Sequence, residues 1–182
     1  MELAKAKPLA LGYASAGNGS ANHLAGELLA AVAGVKLTHV PYKGSGPALA
    51  DVIGGQMPMM FDTPITAIPQ VKAGKVRGLA FSGKRRAAQL PDVATMDELG
   101  YKGFEVSSWQ GVITTAGTPR QAIDRLHQET VKALKMPEVI ERLATQGGNE
   151  LVGSTPAEYA QLIKDEIVKY AKIIKAAGIK VE

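Results

Sequence analysis

Cysteine is absent from the 182 residues, which excludes a structural disulfide, a thiolate metal site and a cysteine nucleophile. Histidine is scarce. His23, His39 and His127 are the only three, and no pair of them has metal-ligand spacing with a carboxylate neighbour. Aromatic residues make up 5% of the chain and Trp109 is its one tryptophan, so the stacking surface that nucleic-acid binding needs beside a basic stripe is missing. The densest basic run is Lys84-Arg85-Arg86, short enough to read as a solvated turn. No stretch approaches the ~18 apolar residues of a membrane span. The opening Met1 to Pro8 has no apolar core and is not a signal peptide. Low-complexity segments are also lacking.

Small and aliphatic residues are abundant: hydrophobic residues reach 46%, 20 glycines are scattered along the chain, and the formal net charge is +4. That is the composition of an α/β fold with many short turns. Leu9 to Ser15 reads as a strand, followed by the tight loop Ala16-Gly17-Asn18-Gly19. Ser20 then caps a helix to Ala33, with Gly34 as its stop. Val35 to Val40 is a second strand, and Pro41 to Gly46 a loop opening a helix at Pro47 that ends at Gly54-Gly55. Met57 to Phe61 is a third strand, Asp62-Thr63-Pro64 a third loop, and a helix follows to Ala73. Val76 to Phe81 is a fourth strand. Three successive units thus have the form strand, short polar loop, helix, the pattern of a largely parallel sheet.

From Ser82 to Gly103 the pattern is irregular. Leu90-Pro91-Asp92-Val93 reads as extended, and Thr95 as the cap of a short helix to Leu99. Beyond Ser107 helices dominate: Pro119 to Lys135, Pro137 to Gln146 and, after a short strand at Glu150 to Val152, a last helix. Thr155 and Glu158 form its capping box, Pro156 sits at its first position, and Gly178 is its stop. Its apolar stripe runs through Tyr159, Leu162, Ile163, Ile167, Tyr170, Ile173, Ile174 and Ala177. A boundary near 107 divides the chain into residues 8–106, an α/β ligand-binding domain, and 107–182, a hinge crossing with a helical part.

In an open parallel sheet, ligands bind beyond the carboxyl ends of the strands. The loops there carry Ser15, Ala16, Gly17, Asn18, Gly19 and Ser20, then Lys43, Gly44, Ser45 and Gly46, then Asp62 and Thr63. Two of them lead into helix N-termini among small residues, where free amides and the positive dipole end favour an anion. Each Gly-rich turn alone is ordinary folding chemistry; their convergence on one edge is what points to a site. They match neither a P-loop nor a dinucleotide fingerprint. His23 reads as a capping or packing residue, and Asp62 either caps the next helix or accepts a hydrogen bond from a ligand.

At these residues the chain resembles a known family. Tyr13-Ala14-Ser15-Ala16-Gly17-Asn18-Gly19-Ser20, with His23 and Leu24, and above all His39-Val40-Pro41-Tyr42-Lys43-Gly44-Ser45-Gly46-Pro47-Ala48-Leu49, look like the second-lobe ligand loops of Bug-type substrate-binding proteins of tripartite tricarboxylate transporters. Gly54-Gly55-Gln56, Met59-Met60-Phe61-Asp62, Leu90-Pro91-Asp92-Val93 and Ala116-Gly117-Thr118-Pro119 continue the match in order. The resemblance implies a type II periplasmic-binding-protein fold, whose two α/β lobes close on a small carboxylate. It also implies a periplasmic location, the membrane components of a transporter as partners, and neither cofactor nor metal. The three loops would supply the second-lobe contacts, and Trp109 would lie where the chain recrosses the hinge. Full-length members begin with a long region upstream of the matched part. On that resemblance the chain is a truncated form, one complete βα lobe plus part of the other, and its carboxyl-terminal helices are expected to seek cover by self-association. A small phosphate-handling enzyme and a non-binding interaction domain are the competing readings.

Overall fold

Helix signals in the first half act where they stand. In the computed structural model, which describes residues 2–177 and 179, a short helix α1 (Glu2–Ala6) precedes strand β1 (Gly12–Ser15), helix α2 (Ala21–Ala33), strand β2 (Thr38–Pro41), α3 (Ser45–Ile53) and α4 (Pro64–Lys72). Ser20 caps α2, its hydroxyl accepting the His23 amide, and Gly34 closes it in the left-handed conformation at φ 63°, which glycine adopts without a Cβ penalty. β1 and β2 run parallel with Tyr13 opposite His39 and Ser15 opposite Pro41, the orientation that a helical crossover between them allows.

The expected strands are longer than those that form. The first begins at Gly12 and not at Leu9 because Leu9 sits at φ 65°, outside the extended region. The second begins at Thr38 because the Val35 amide is drawn back to the Ala30 carbonyl at the end of α2. The third, Met57 to Phe61, meets β1 only through the parallel bridge Ala14–Met60. Pro58 lacks a donor there, and the Asn22 side chain takes the Phe61 carbonyl that a strand partner would use. The fourth is reduced to the bridge Phe81–Thr95. The described sheet is therefore β1 and β2 with the 57–61 segment along the other edge of β1.

Leu90 to Val93 is a turn and not an extended segment: Pro91 follows Leu90, whose carbonyl accepts the Val93 amide at 3.0 Å, the position at which proline's fixed φ favours a turn. Thr95 and Glu98 form their capping box, with the Thr95 amide donating to Glu98 Oε2 and the Glu98 amide to Thr95 Oγ1. No helix follows the box, since Gly100 takes φ 90° within a turn of it. Residues 150–152 form no strand.

The carboxyl-terminal half is helical as expected: α5 (Arg120–Leu134), α6 (Pro137–Val139) passing directly into a π-helical stretch Ile140–Gln146, and α7 (Pro156–Ala177). The capping box of α7 is made, the Thr155 amide and hydroxyl both donating to Glu158 Oε2 at 2.8 Å. The expected stop, Gly178, lies outside the described residues.

The core gathers Tyr13, Ala25, Leu29, Val35, Leu37, Met96, Phe104 and Val106, with Ala4 of α1 at its edge and Tyr170 of α7 packed against it. Part of the cover expected from a second copy thus comes from the chain itself. Glu166, buried on α7, accepts Trp109 Nε1 at 3.2 Å and pairs with Lys169 Nζ at 3.1 Å, the compensation a buried carboxylate needs. Elsewhere on the helix Ile167 and Val168 are exposed.

Candidate functional site

Three loops leave the same ends of β1, β2 and the 57–61 segment, and direct contacts tie them together. The Gly44 amide donates to the Ala16 carbonyl at 3.1 Å and the Tyr42 amide to Ser15 at 3.0 Å, joining the first two loops. Asn22, at the start of α2, donates to the Phe61 carbonyl and joins the first loop to the third. All the loop residues expected in the site, from Ser15 to Ser20, Lys43 to Gly46, and Asp62 with Thr63, therefore share one end of the fold. Trp109 does not join them through any of these contacts: its ring stands edge-on to Tyr159 at 5.6 Å and its nitrogen donates to Glu166, both on α7.

Within the first loop most polar groups serve the loop itself. Ser15 is fully buried; its Oγ accepts the Gly17 amide at 3.1 Å and lies 2.6 Å from His39 Nε2. The Gly17 carbonyl accepts the Ser20 hydroxyl at 2.7 Å and the Ser20 amide at 3.2 Å. The Gly19 amide donates to His23 Nδ1 at 3.1 Å, so His23 does have the capping and packing role read from the sequence. The amides of Gly17, Gly19, Ser20 and His23 are thus engaged internally, fewer donors than the loop composition alone promises to an anion.

The amides of Ala21 and Asn22 at the start of α2 lie outside these loop bonds, since helix geometry gives the first amides no intrahelical acceptor. The same holds in α3, where Gly44, at φ 111°, caps with no side-chain bond. A Cβ built at Gly19, Gly44 or Gly46 meets nothing within 4 Å, so the loop tips face open space. Lys43 beside them is exposed. Amides, one hydroxyl of Ser45 and a lysine make a surface that can neutralise an anion by donation and charge together.

Asp62 stands behind the α3 and α4 N-termini. Its Oδ1 accepts the Thr63 amide at 2.9 Å, the amide of the residue that precedes α4 and not one of the helix itself, so the helix-capping role considered for it is not made, while its Oδ2 is buried with no hydrogen-bond partner. Burial pushes its carboxyl above the ordinary range, against the pull of the nearby Thr66, Thr63 and Ser45 donors.

The feature least visible in the sequence is the histidine pair. His23 and His39 stack face to face, centroids 3.7 Å apart and planes 7° from parallel. Burial, and secondarily the neighbouring His23, hold His39 down at about 4; burial also lowers His23, opposed by Glu27. A depressed histidine contributes stability that is complete above its unfolded value, 6.5, and is lost as pH falls toward the folded one. For His39 that contribution is roughly 1–2 kcal/mol once discounted for its partial exposure. Asp62, raised by burial, runs the other way. The contrast with His39→Gln therefore isolates the imidazole: urea midpoints of the native chain are expected to fall more steeply than the variant's between pH 6.5 and about 4. Parallel curves would refute this.

The family model described as the tripartite tricarboxylate transporter family receptor, TctC, matches residues 1–179. The chain belongs to this family. Among curated TctC-family relatives it is 42% identical over 175 residues to the UPF0065 protein in the tcbD-tcbE intergenic region of a Pseudomonas species, covering 96% of this chain and 52% of that one. It is 33% identical to BugT of Bordetella pertussis, over 98% and 54% of the two chains. The chain spans about half the length of these relatives. Solved structures agree: the periplasmic binding protein BugD superposes at TM-score 0.91 with 36% identity over 100% of this chain and 61% of that one. A Rhodopseudomonas palustris structure with adipate gives 0.90 at 32% identity over 98% and 59%, and MatC with bound malate, from the same species, 0.83 at 32% identity over 90% and 56%. The chain therefore has the α/β fold of the part of these periplasmic binding proteins that it covers.

Proposed function

We propose that this chain serves as an extracytoplasmic, periplasmic receptor that captures a small carboxylate and presents it to the membrane components of a tripartite tricarboxylate-type transporter. The observation that carries the reading is the mutual tethering of three loops whose helix N-termini open toward solvent beside Lys43. Adipate and malate in two family structures supply the ligand class. Residues 8–106 form the lobe that holds the ligand loops, and 107–182 carry the chain back across the hinge. Trp109, packed on α7, serves that crossing rather than the first contact with ligand.

A receptor is favoured over an enzyme by the state of the contact between the Ser15 hydroxyl and the His39 ring. Ser15 Oγ and His39 Nε2 are within hydrogen-bond distance, as a nucleophile and its base would be. Yet Ser15 is 0% exposed and its oxygen already accepts the Gly17 amide, so a substrate carbonyl has no approach to it.

Calorimetry of the chain against adipate and malate tests the reading, with Gly19→Val and Ser45→Ala as probes. A side chain at Gly19 projects into open space where the ligand would lie, and Ser45→Ala removes a donor. Both variants are expected to stay folded and to bind about tenfold more weakly, Ser45→Ala by losing one hydrogen bond to a charged group and Gly19→Val by crowding the ligand. Normal binding by both folded variants would mean that the ligand sits elsewhere.

A further inference from the structure

The stacked imidazoles of His23 and His39 have no part in the capture just described, yet each holds one end of the ligand loop. His39 reaches it through Ser15, whose oxygen accepts the Gly17 amide. His23 reaches it directly, Nδ1 accepting the Gly19 amide at 3.1 Å. An accepting ring nitrogen carries no proton. The geometry therefore fixes His23 as the tautomer protonated on Nε2, which lies 3.8 Å from Glu27 Oε1.

We infer that His23 and His39 are positioning residues for carboxylate capture: in their neutral forms they hold the Gly17 and Gly19 ends of the ligand loop in shape, and a proton taken up on His23 Nδ1 releases the Gly19 end and weakens binding. This rests on the reading of the loop as a carboxylate site.

The chemistry of the two rings differs. A proton on His23 Nδ1 turns the acceptor of Gly19 into a donor, so two N–H groups face each other and the contact is lost. A proton on His39 leaves the Ser15 contact possible. The hydroxyl then accepts from Nε2 and turns its own hydrogen to the Gly17 carbonyl, 3.2 Å away. The resulting imidazolium would lie 3.7 Å from the His23 ring, so a second charge on the pair is strongly opposed. The groups facing the pair are few. On α2, Glu27 draws a proton toward His23 while accepting the Tyr13 hydroxyl at 2.7 Å. On β1, the neutral Tyr13 ring stands 5.1 Å from His39, and Phe61 packs edge-on to Tyr13 from the next segment. Burial of the two rings therefore favours their neutral state, and Glu27 alone acts against it.

The test sets His23→Asn against His23→Ala. An asparagine oxygen can stand where Nδ1 stands and accept from Gly19, but it takes up no proton. Malate is titrated into each protein by calorimetry near about pH 7.5 and about pH 4.5, on either side of the histidine range. His23→Ala is expected to bind about tenfold more weakly at the higher pH, and His23→Asn within about threefold of native. On acidification the native chain should lose affinity relative to His23→Asn. Because malate titrates identically in every sample, the native-to-variant ratio reports the protein alone. Equal weakening in Asn and Ala variants, or a native-to-Asn ratio that stays constant with pH, overturns the inference. A 15N NMR titration of the ligand-free chain reads the same contact without malate. The Gly19 amide should follow the His23 titration and stay fixed in His23→Asn; an amide indifferent to His23 also overturns it. A chain whose Gly19 amide follows His23 but which binds no malate upholds the grip on the loop and sinks the carboxylate reading instead.

Discussion

Gly26→Ala is expected to destabilise the chain by about 1–3 kcal/mol, although alanine in place of glycine inside a helix ordinarily gains up to about 1 kcal/mol. Gly26 is buried within α2, and a Cβ there would overlap Cε2 and Cζ of Tyr13. The ring cannot yield cheaply. Tyr13 is 0% exposed, and its hydroxyl donates to Glu27 Oε1 at 2.7 Å and lies 3.2 Å from the His23 carbonyl. Burial, with Glu27 beside it, pushes its phenol well above the ordinary range, which keeps the donor protonated at all working pH values. Urea unfolding measures the effect, and a cycle with Tyr13→Leu identifies its source. The tyrosine variant is costly alone, since it removes a filled volume and leaves Glu27 without its donor. In its background, however, Gly26→Ala should cost much less, because the two positions meet. Strict additivity, or a Gly26→Ala chain as stable as native, would show that the overlap is relieved by other means.

Gly17→Ala is expected to have a larger effect on the site than Gly19→Ala, despite their neighbouring places in one loop. Gly17 sits at φ 133° and a Cβ there would come 3.2 Å from the Tyr42 carbonyl, which belongs to backbone held by the Tyr42–Ser15 hydrogen bond. Strain of this type costs on the order of 1–3 kcal/mol. Gly17 is also the hub of the loop, donating to Ser15 and receiving both the hydroxyl and the amide of Ser20. Displacing it therefore loosens the cap of α2 as well as the loop. Gly19, at φ 72° with open space around its Cβ, pays only the left-handed penalty of about 1 kcal/mol. Thermal unfolding and malate calorimetry on the two alanine variants should rank Gly17→Ala as the worse in both. The reverse order would mean that the loop's shape is set by Gly19 and not by the Ser15–Gly17–Ser20 bonds.

Several helices were legible because their ends are written in single residues. Ser20, Gly34 and the Thr155–Glu158 pair each act on amides or carbonyls within a turn of themselves, and each does so in the folded chain, while Pro64 takes the first position of α4. The loop composition was equally legible, and so was the shared edge of the three loops, which follows from repeated strand–loop–helix units. Reading the number of donors offered to an anion went too far, because Ser15, Ser20 and His23 could not be seen to consume them. The extended segments were overread for a related reason. Alternating apolar residues mark a segment that can pair, but Asn22 takes the Phe61 carbonyl, and Leu9 leaves the extended region altogether.

By itself the sequence determined the α/β class, the main helix caps and the loop chemistry, and its motifs carried the family, because caps, turns and motifs are interactions between residues close in the chain. Only the tertiary structure decided that His23 lies flat on His39, that Ser15 is sealed beneath the loop, that Asn22 binds the third segment to the first, and that Trp109 stands on α7 beside Glu166. Each of these joins residues on different elements. Which buried donor meets which acceptor is settled by the packing of α2 and α7 around Tyr13 and its neighbours, and no local spacing encodes that choice.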